Sequence, residues 1–373
     1  MAHAITPRDG LHDLDAALLC HKRSSADELA ERGGFPSHSR WTQGQKWIGW
    51  LTMSFRRVPP VSLSLLLVAA VLVSVAGIAA RAAQGKPSKQ IVLIAGRPSH
   101  PPGMHEFRAG VMLFQKALAA TPGVNVQVHF NGWPTRTVDG QVVDDSAALD
   151  TADAVLIYAD GGRNHPAIQG DRIKVIDALA ARGVGLGFAH FGVEVPAGPP
   201  GEAMHRWVGG FYENLFSVNP MWKPPFEKFP THPVTRGVQP FATHDEWYFN
   251  MRWTPDPAAK ARITPLLVAT PSDEVRKGPY VSPKGPYDHI IADSGKAETM
   301  MWVYERPDGG RSFGFTGGHT HIHWGDRNQR KVMLNALLWL AKVEVPARGV
   351  EDAITEADLT TNLDDKPARR RPQ

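Results

Sequence analysis

From residue 90 onward the chain alternates short apolar runs with amphipathic stretches. Residues 90–95 (QIVLIA) form a continuous apolar run ending at Gly96. That is the pattern of a parallel strand covered on both faces. After a loop rich in Pro and Gly, Phe107, Val111, Phe114 and Leu118 fall at i, i+4, i+7 and i+11, one face of a helix beginning near Glu106. Residues 124–130 alternate and predict a second strand, and 154–158 (AVLIY) predict a third. Ile173, Ile176 and Leu179 mark the next helix, and 184–190 (VGLGFAH) the fourth strand. Strands alternating with helices predict an α/β fold: a mostly parallel sheet with helices on both faces. In such sheets ligands bind at the carboxyl ends of the strands. That rule points to residues 97–106, 160–165 and 190–194.

The second half is less regular. A stretch with Pro and Trp covers 219–233, and strands are expected at 241–251, 264–269, 298–304 and 311–316. A last amphipathic helix is expected from about Asn328 to Lys342. Neither a composition break nor a fixed-period repeat divides residues 88–345, which read as one domain. Residues 346–373 read as a tail, frayed from Val350 and ending in Arg369, Arg370 and Arg371.

Ahead of this body, residues 61–80 carry no charge, follow Arg56 and Arg57, and end in an Ala-x-Ala site at Ala80–Ala82. A basic stretch, an apolar stretch and small residues spell an export signal over 53–82. Twenty apolar residues also suffice for a retained membrane anchor. Counted from Met53 the proportions suit a signal. Residues 1–52 then read as disordered or as translated upstream sequence. On either reading the folded body lies outside the cytoplasm, periplasmic or extracellular, and touches membrane only through its N-terminal segment.

Composition narrows the chemistry. The 41 basic and 37 acidic residues of the 373 leave a net charge of +4 without a basic block in the body, so nucleic acid is not an expected partner. The single Cys, Cys20, precedes the body. Disulfides, Cys-ligated metals and a Cys nucleophile are excluded there. The strand-end loops lack the Gly-x-Gly-x-x-Gly and P-loop patterns, so no nucleotide cofactor is expected.

Four clusters carry candidate chemistry. In Gly317–Gly325 (GGHTHIHWG), His319, His321 and His323 are two apart, and an extended chain would set them on one side. Imidazole serves as metal ligand or as acid and base near neutral pH. In Thr243–Phe249 (THDEWYF), Glu246 offers a base or a ligand, and Trp247 and Tyr248 offer flat faces to a sugar, as does Trp324. His190 closes the fourth strand, where an acyl-transfer nucleophile would need Ser or Cys. Arg97, His105 and Glu106 follow the first strand, and Asp160 and Asn164 the third, as candidate substrate-binding residues. Each cluster has a structural counterpart: histidines capping a strand edge, acids reaching solvent, a buried His under a loop, or ordinary βα turns.

The pieces Ile91–His100 (IVLIAGRPSH), His105–Phe107 (HEF), His232–Gly237 (HPVTRG), Asp245–Tyr248 (DEWY), Gly318–His321 (GHTH) and the closing Asn335–Trp339 (NALLW) together resemble the ThuA-like (trehalose utilisation) domain family. The resemblance spans about Gln90 to Lys342. The strand GLGFAH with the following VEVP is most similar to secreted planctomycete-type members. It implies a flavodoxin-like, class I glutamine amidotransferase-like three-layer sandwich and a carbohydrate ligand, with activity on keto-sugars such as 3-keto-glycosides. Amidotransferase chemistry does not carry over, since the body lacks the elbow Cys; His190 stands near that position and His319 where the superfamily's His is expected.

The expected function is a keto-sugar isomerase or lyase with His190, Glu246, His319 and His321 as catalytic residues. A divalent metal on His190, Glu246 and His319 would polarise the carbonyl; the metal-free version uses Glu246 or His319 as base. The alternative is a non-catalytic carbohydrate-binding protein stacking sugar on Trp247, Tyr248 and Trp324.

Overall fold

The computed structural model describes residues 88–367. The expected leader, the Met53 start and the Arg369–Arg371 end lie outside them. The central sheet has seven strands: β1 (Lys89–Ala95), β2 (Val124–His129), β3 (Ala154–Tyr158), β4 (Gly185–Ala189), β5 (Ile263–Ala269), β6 (Glu298–Glu305) and β7 (Arg311–Phe315). Their order is β5-β6-β7-β4-β3-β1-β2. The pairs β2/β1, β1/β3, β3/β4 and β4/β7 are parallel, and β6 runs antiparallel to both its neighbours. The parallel part, 2-1-3-4 followed by β7, has the flavodoxin-like order.

The apolar run of β1 explains the layers. Side chains alternate across a strand, so Ile91 and Leu93 join Leu156, Phe114 and Leu337 in one core, while Val92 and Ile94 join Val155, Ile176 and Trp207 in the other. The first core lies under helices α1 (Phe107–Leu118) and α4 (Arg327–Leu340); the second lies under α2 (Arg172–Ala181) and α3 (Pro199–Val208). The predicted helix face Phe107, Val111, Phe114 and Leu118 is fully buried. Each such side chain contributes roughly 1.5–3 kcal/mol. Local signals set the helix ends. Asp326 caps α4 by accepting from the N–H groups of Asn328 and Gln329, each at 2.9 Å. Pro199 opens α3 and Gly209, at φ 82°, closes it.

Two expectations are corrected. Residues 241–251 do not form one strand. Only Asp245–Glu246 pairs, with Met221–Trp222, and single bridges tie Phe241 to Phe226 and Phe249 to Val218. The Asp245 carboxylate is occupied by two backbone N–H groups of another loop, and Asn250 sits at φ 58°, so the chain turns rather than running straight. Nor is the chain frayed from Val350 across the described residues. Val350 and Leu359 enter the first core, and a short helical turn spans Glu356–Thr360. Lys366 is buried against Glu106, with Nζ donating to the carbonyls of Met104 at 2.6 Å and His105 at 3.1 Å. Among the described residues no helix is long and apolar enough to cross a membrane.

Candidate metal centre

The loops leaving β1, β4 and β7 meet at the carboxyl edge of the sheet. The β1 loop returns at Met104, which bridges to Thr320, and the His105 N–H donates to the His319 carbonyl at 2.9 Å. His190, directly after β4, sits at φ 52° and His105 at φ 48°, a left-handed conformation uncommon outside glycine. The β7 loop reaches His319 through Gly318 at φ 98°, where a Cβ would lie 2.8 Å from the Trp324 ring. Asp245 fixes this loop by accepting from the N–H groups of Gly318 (2.8 Å) and Thr320 (3.0 Å). The next residue, Glu246, thereby faces His319.

Four buried side chains converge: His105, His190, Glu246 and His319, with one donor atom of each within 4.8 Å of all the others. His105 Nε2 is 3.0 Å from both His319 Nδ1 and His190 Nε2, and the last two are 3.2 Å apart. Glu246 Oε2 is 2.7 Å from His319 Nδ1. The opposite nitrogens are engaged elsewhere. His190 Nδ1 donates to the Thr316 carbonyl at 3.0 Å, and His105 Nδ1 lies 2.8 Å from Asp160 Oδ1. A carbonyl only accepts, and a carboxylate prefers to, so in the neutral rings the protons sit on Nδ1 and both Nε2 lone pairs face the centre. Burial and the neighbouring imidazoles hold the pKa of both rings well below the usual histidine range. Burial raises the Glu246 carboxyl; His319, and Asn219 donating to Oε1 at 2.8 Å, pull it back.

This arrangement fits a divalent ion. Ligands at about 2.0–2.1 Å in a tetrahedron stand about 3.3 Å apart, close to the 3.0–3.2 Å nitrogen separations here. Three imidazoles and a carboxylate suit zinc, iron, cobalt, nickel or manganese. Asp160 behind His105 is the outer carboxylate that orients many metal-bound histidines.

The structure places the other expected residues as follows. His105, expected to bind substrate, is a fourth member of the quartet. His321 is not in it: the chain is extended only to Thr320, then turns into a short 3-10 helix, His321–Gly325, that rotates the three histidines apart. The His321 ring is buried near Glu106 and Lys366, with neither nitrogen bonded and its pKa lowered to about 4 by burial. His323 turns to the His244 carbonyl. Glu106 belongs to the fold, accepting from the N–H groups of Gly103 and Asp364, each at 2.8 Å. Trp247 and Trp324 offer no face to a sugar. Both are fully buried, Trp247 against Phe226 and Phe315, Trp324 against Phe114 and Phe315. Tyr248 is buried too, and its hydroxyl lies 3.3 Å from His190 Nε2. Arg97, Asp160 and Asn164 line one cleft beside the quartet.

Two groups near the centre received no role from the sequence. Burial, with Glu246 nearby, raises the Glu194 carboxyl to about 8. The Tyr212 hydroxyl is buried with no hydrogen-bond partner. Glu194 follows the fourth strand, so its position was a signal; nothing in the sequence marks Tyr212.

A family model described as ThuA, trehalose utilisation, matches residues 102–340. The chain belongs to the ThuA family. Its flavodoxin-like architecture is the ThuA fold expected from the sequence, and the family's description links the ThuA domain to carbohydrate use. A crystal structure of a ThuA-like protein from Bacteroides uniformis matches at 15% identity with a TM-score of 0.47, covering 69% of this chain and 93% of that one. PurLQS from Thermotoga maritima matches at 13% identity and a TM-score of 0.35, covering 68% of this chain and 99% of that one. A cold-adapted β-galactosidase from Rahnella sp. R3 matches at 13% identity and 0.34, covering 72% of this chain and 33% of that one. A search of curated proteins finds no match.

Proposed function

We propose that this ThuA-family chain is an exported enzyme that isomerises or cleaves a keto-sugar at a divalent-metal centre formed by His105, His190, His319 and Glu246. The observation that carries the reading is the convergence of three imidazole nitrogens and one carboxylate oxygen, with the protons of two rings tied off by Asp160 and the Thr316 carbonyl. With their Nδ1 nitrogens engaged outside, His105 and His190 turn their Nε2 lone pairs toward one point, 3.0 Å apart, as two ligands of one cation do. A divalent ion held by these four residues would supply Lewis acidity toward a sugar carbonyl. The chain's own residues do the rest. Asp160 and Thr316 hold the rings in one tautomer, and Asn219 orients Glu246. Tyr248 places a hydroxyl beside His190, and Glu194 supplies a carboxyl able to move a proton near neutral pH.

The carbohydrate-binding alternative loses its main support, because the rings of Trp247, Tyr248 and Trp324 are all buried. The decisive experiment is metal analysis of protein purified without chelator, followed by turnover assays on glucosides and their 3-keto derivatives. The expected result is one divalent ion per chain, lost in His319→Ala, and turnover of a keto-sugar that chelator abolishes. Metal-free protein that turns over the same sugar would sink the metal centre; metal-loaded protein inert to every keto-sugar would sink the reaction class.

A further inference from the structure

We propose that Tyr212 is a catalytic residue of the same centre: its hydroxyl donates a hydrogen bond to the oxygen of a carbonyl ligand as that oxygen gains negative charge. The inference rests on the function proposed above and adds to it the group that receives the charge.

The backbone sets Tyr212 beside Glu194. Tyr212 follows a two-residue strand, Gly210–Phe211, that pairs with Arg252–Trp253. Its N–H donates to the Val193 carbonyl at 2.9 Å, and the residue bridges to Glu194 in parallel register. Its ring packs on Tyr248 with centroids 5.0 Å apart, and the Tyr248 ring lies 4.9 Å from that of His190. Tyr212 is therefore one ring removed from the histidine quartet.

The fold makes no use of the hydroxyl. Tyr212 is 1% exposed, and its oxygen has no hydrogen-bond partner among the described residues. A buried hydroxyl left unpaired destabilises the folded chain, so its presence needs a reason. The charged groups that act on it most are Glu194 and Glu246, and it bonds to neither. Burial, and then these two carboxyls, hold the phenol well above the usual tyrosine range. Tyr212 thus keeps its proton and has it to give.

Enolisation needs such a donor. Glu194 takes a proton from the carbon beside the carbonyl. The C–H electron pair becomes a C=C bond, and the carbonyl π pair moves onto the oxygen. A fixed O–H aimed at the place where that charge develops lowers the barrier, and one donor of this kind is worth about 10²–10³ in rate. Each member of the quartet is at most 4% exposed, so a ligand reaches it by displacing a side chain. Glu194, half-buried and without a hydrogen bond of its own, is free to turn.

Calorimetric titration of the full-length, metal-loaded protein with acetohydroxamate, which copies the planar oxygens of an enediolate, tests this. Azide, which takes a metal position alone, is the control. We expect Tyr212→Phe to weaken acetohydroxamate at least tenfold, with azide affinity and metal content unchanged and a Tm no lower than wild type, because no hydrogen bond is lost. Acetohydroxamate affinity unaltered in the variant, equal losses for both probes, a Tm well below wild type, or a wild-type protein that does not bind acetohydroxamate would each overturn the assignment. Tyr212-dependent binding in a protein that holds no metal would support the donor and overturn only the metal centre. The same dependence in a protein inert to every carbonyl substrate would support the donor and overturn only the reaction class.

Discussion

His105 Nδ1 lies 2.8 Å from Asp160 Oδ1, while its Nε2 faces His190 and His319 at 3.0 Å. One carboxylate on the loop after β3 thus decides which nitrogen of a residue on the loop after β1 is free to bind. Outer carboxylates of this kind are worth about 10–100-fold in metal affinity. Asp160→Asn is expected to weaken the divalent ion by that factor, with the quartet otherwise intact. Competition against a chromophoric chelator measures it; an unchanged affinity would show that Asp160 does not orient the ring.

Glu246→Gln and His319→Ala should each remove turnover and leave the fold in place. Both side chains sit in the loops at the sheet's edge and anchor no strand or helix of the central sheet. Circular dichroism and a Tm within a few degrees of wild type check the fold. Turnover retained in both variants would discard the quartet as the reaction centre.

Lys366 neutralises a carboxylate that is almost completely buried, with Nζ 3.2 Å from Glu106 Oε1. Removing one partner of a buried pair costs about 3–5 kcal/mol, because the other is left uncompensated. Lys366→Met should lower stability by that order in denaturant titrations, and Glu106→Gln in the same chain should restore a large part of it. Additive losses in the double variant would contradict the pairing.

His165 is fully buried, with Nε2 2.8 Å from the Gly192 carbonyl, and burial lowers its pKa to about 4. The folded protein therefore stays neutral there while the unfolded chain takes up a proton below about 6.5. Stability contributed by the neutral ring is complete above pH 6.5 and falls as pH drops toward 4, by about 1.4 kcal/mol for each pH unit. Denaturation curves between pH 4 and 7.5 should show this slope, reduced in His165→Gln; an equal slope in the variant would reject it.

Trp247→Ala should cost about 3–5 kcal/mol, the usual penalty for emptying a large core position. Its expected signature is a lower Tm with sugar affinity intact. A selective loss of sugar binding would return this ring to the ligand site.

The parallel strands were legible because they are covered on both faces, so apolar runs such as IVLIA mark them without regard to partners. The helix faces and the strand-end rule located His105, Asp160 and His190 for the same reason. His319 stood out through the two-residue spacing of three histidines after Gly317 and Gly318, and Glu246 as an acid beside two aromatic residues. What escaped depended on contacts distant in sequence. Whether Trp247 faces sugar or Phe315 is decided by how a loop packs, not by its polar neighbours. The alternation of His319, His321 and His323 presumed an extended chain, and the turn after Thr320 broke it. The segment after Val350 looked frayed because it is polar; its order comes from Glu106, about 260 positions earlier.

The link between Lys366 and the Met104 and His105 carbonyls joins segments near the two ends of the described residues, 261 positions apart for His105. During synthesis the loop bearing His105 emerges from the ribosome long before its clamp does. The histidine quartet is therefore finished only when residue 366 has been made, and a protein stopped short of it carries its histidines without the brace that holds the His105 carbonyl.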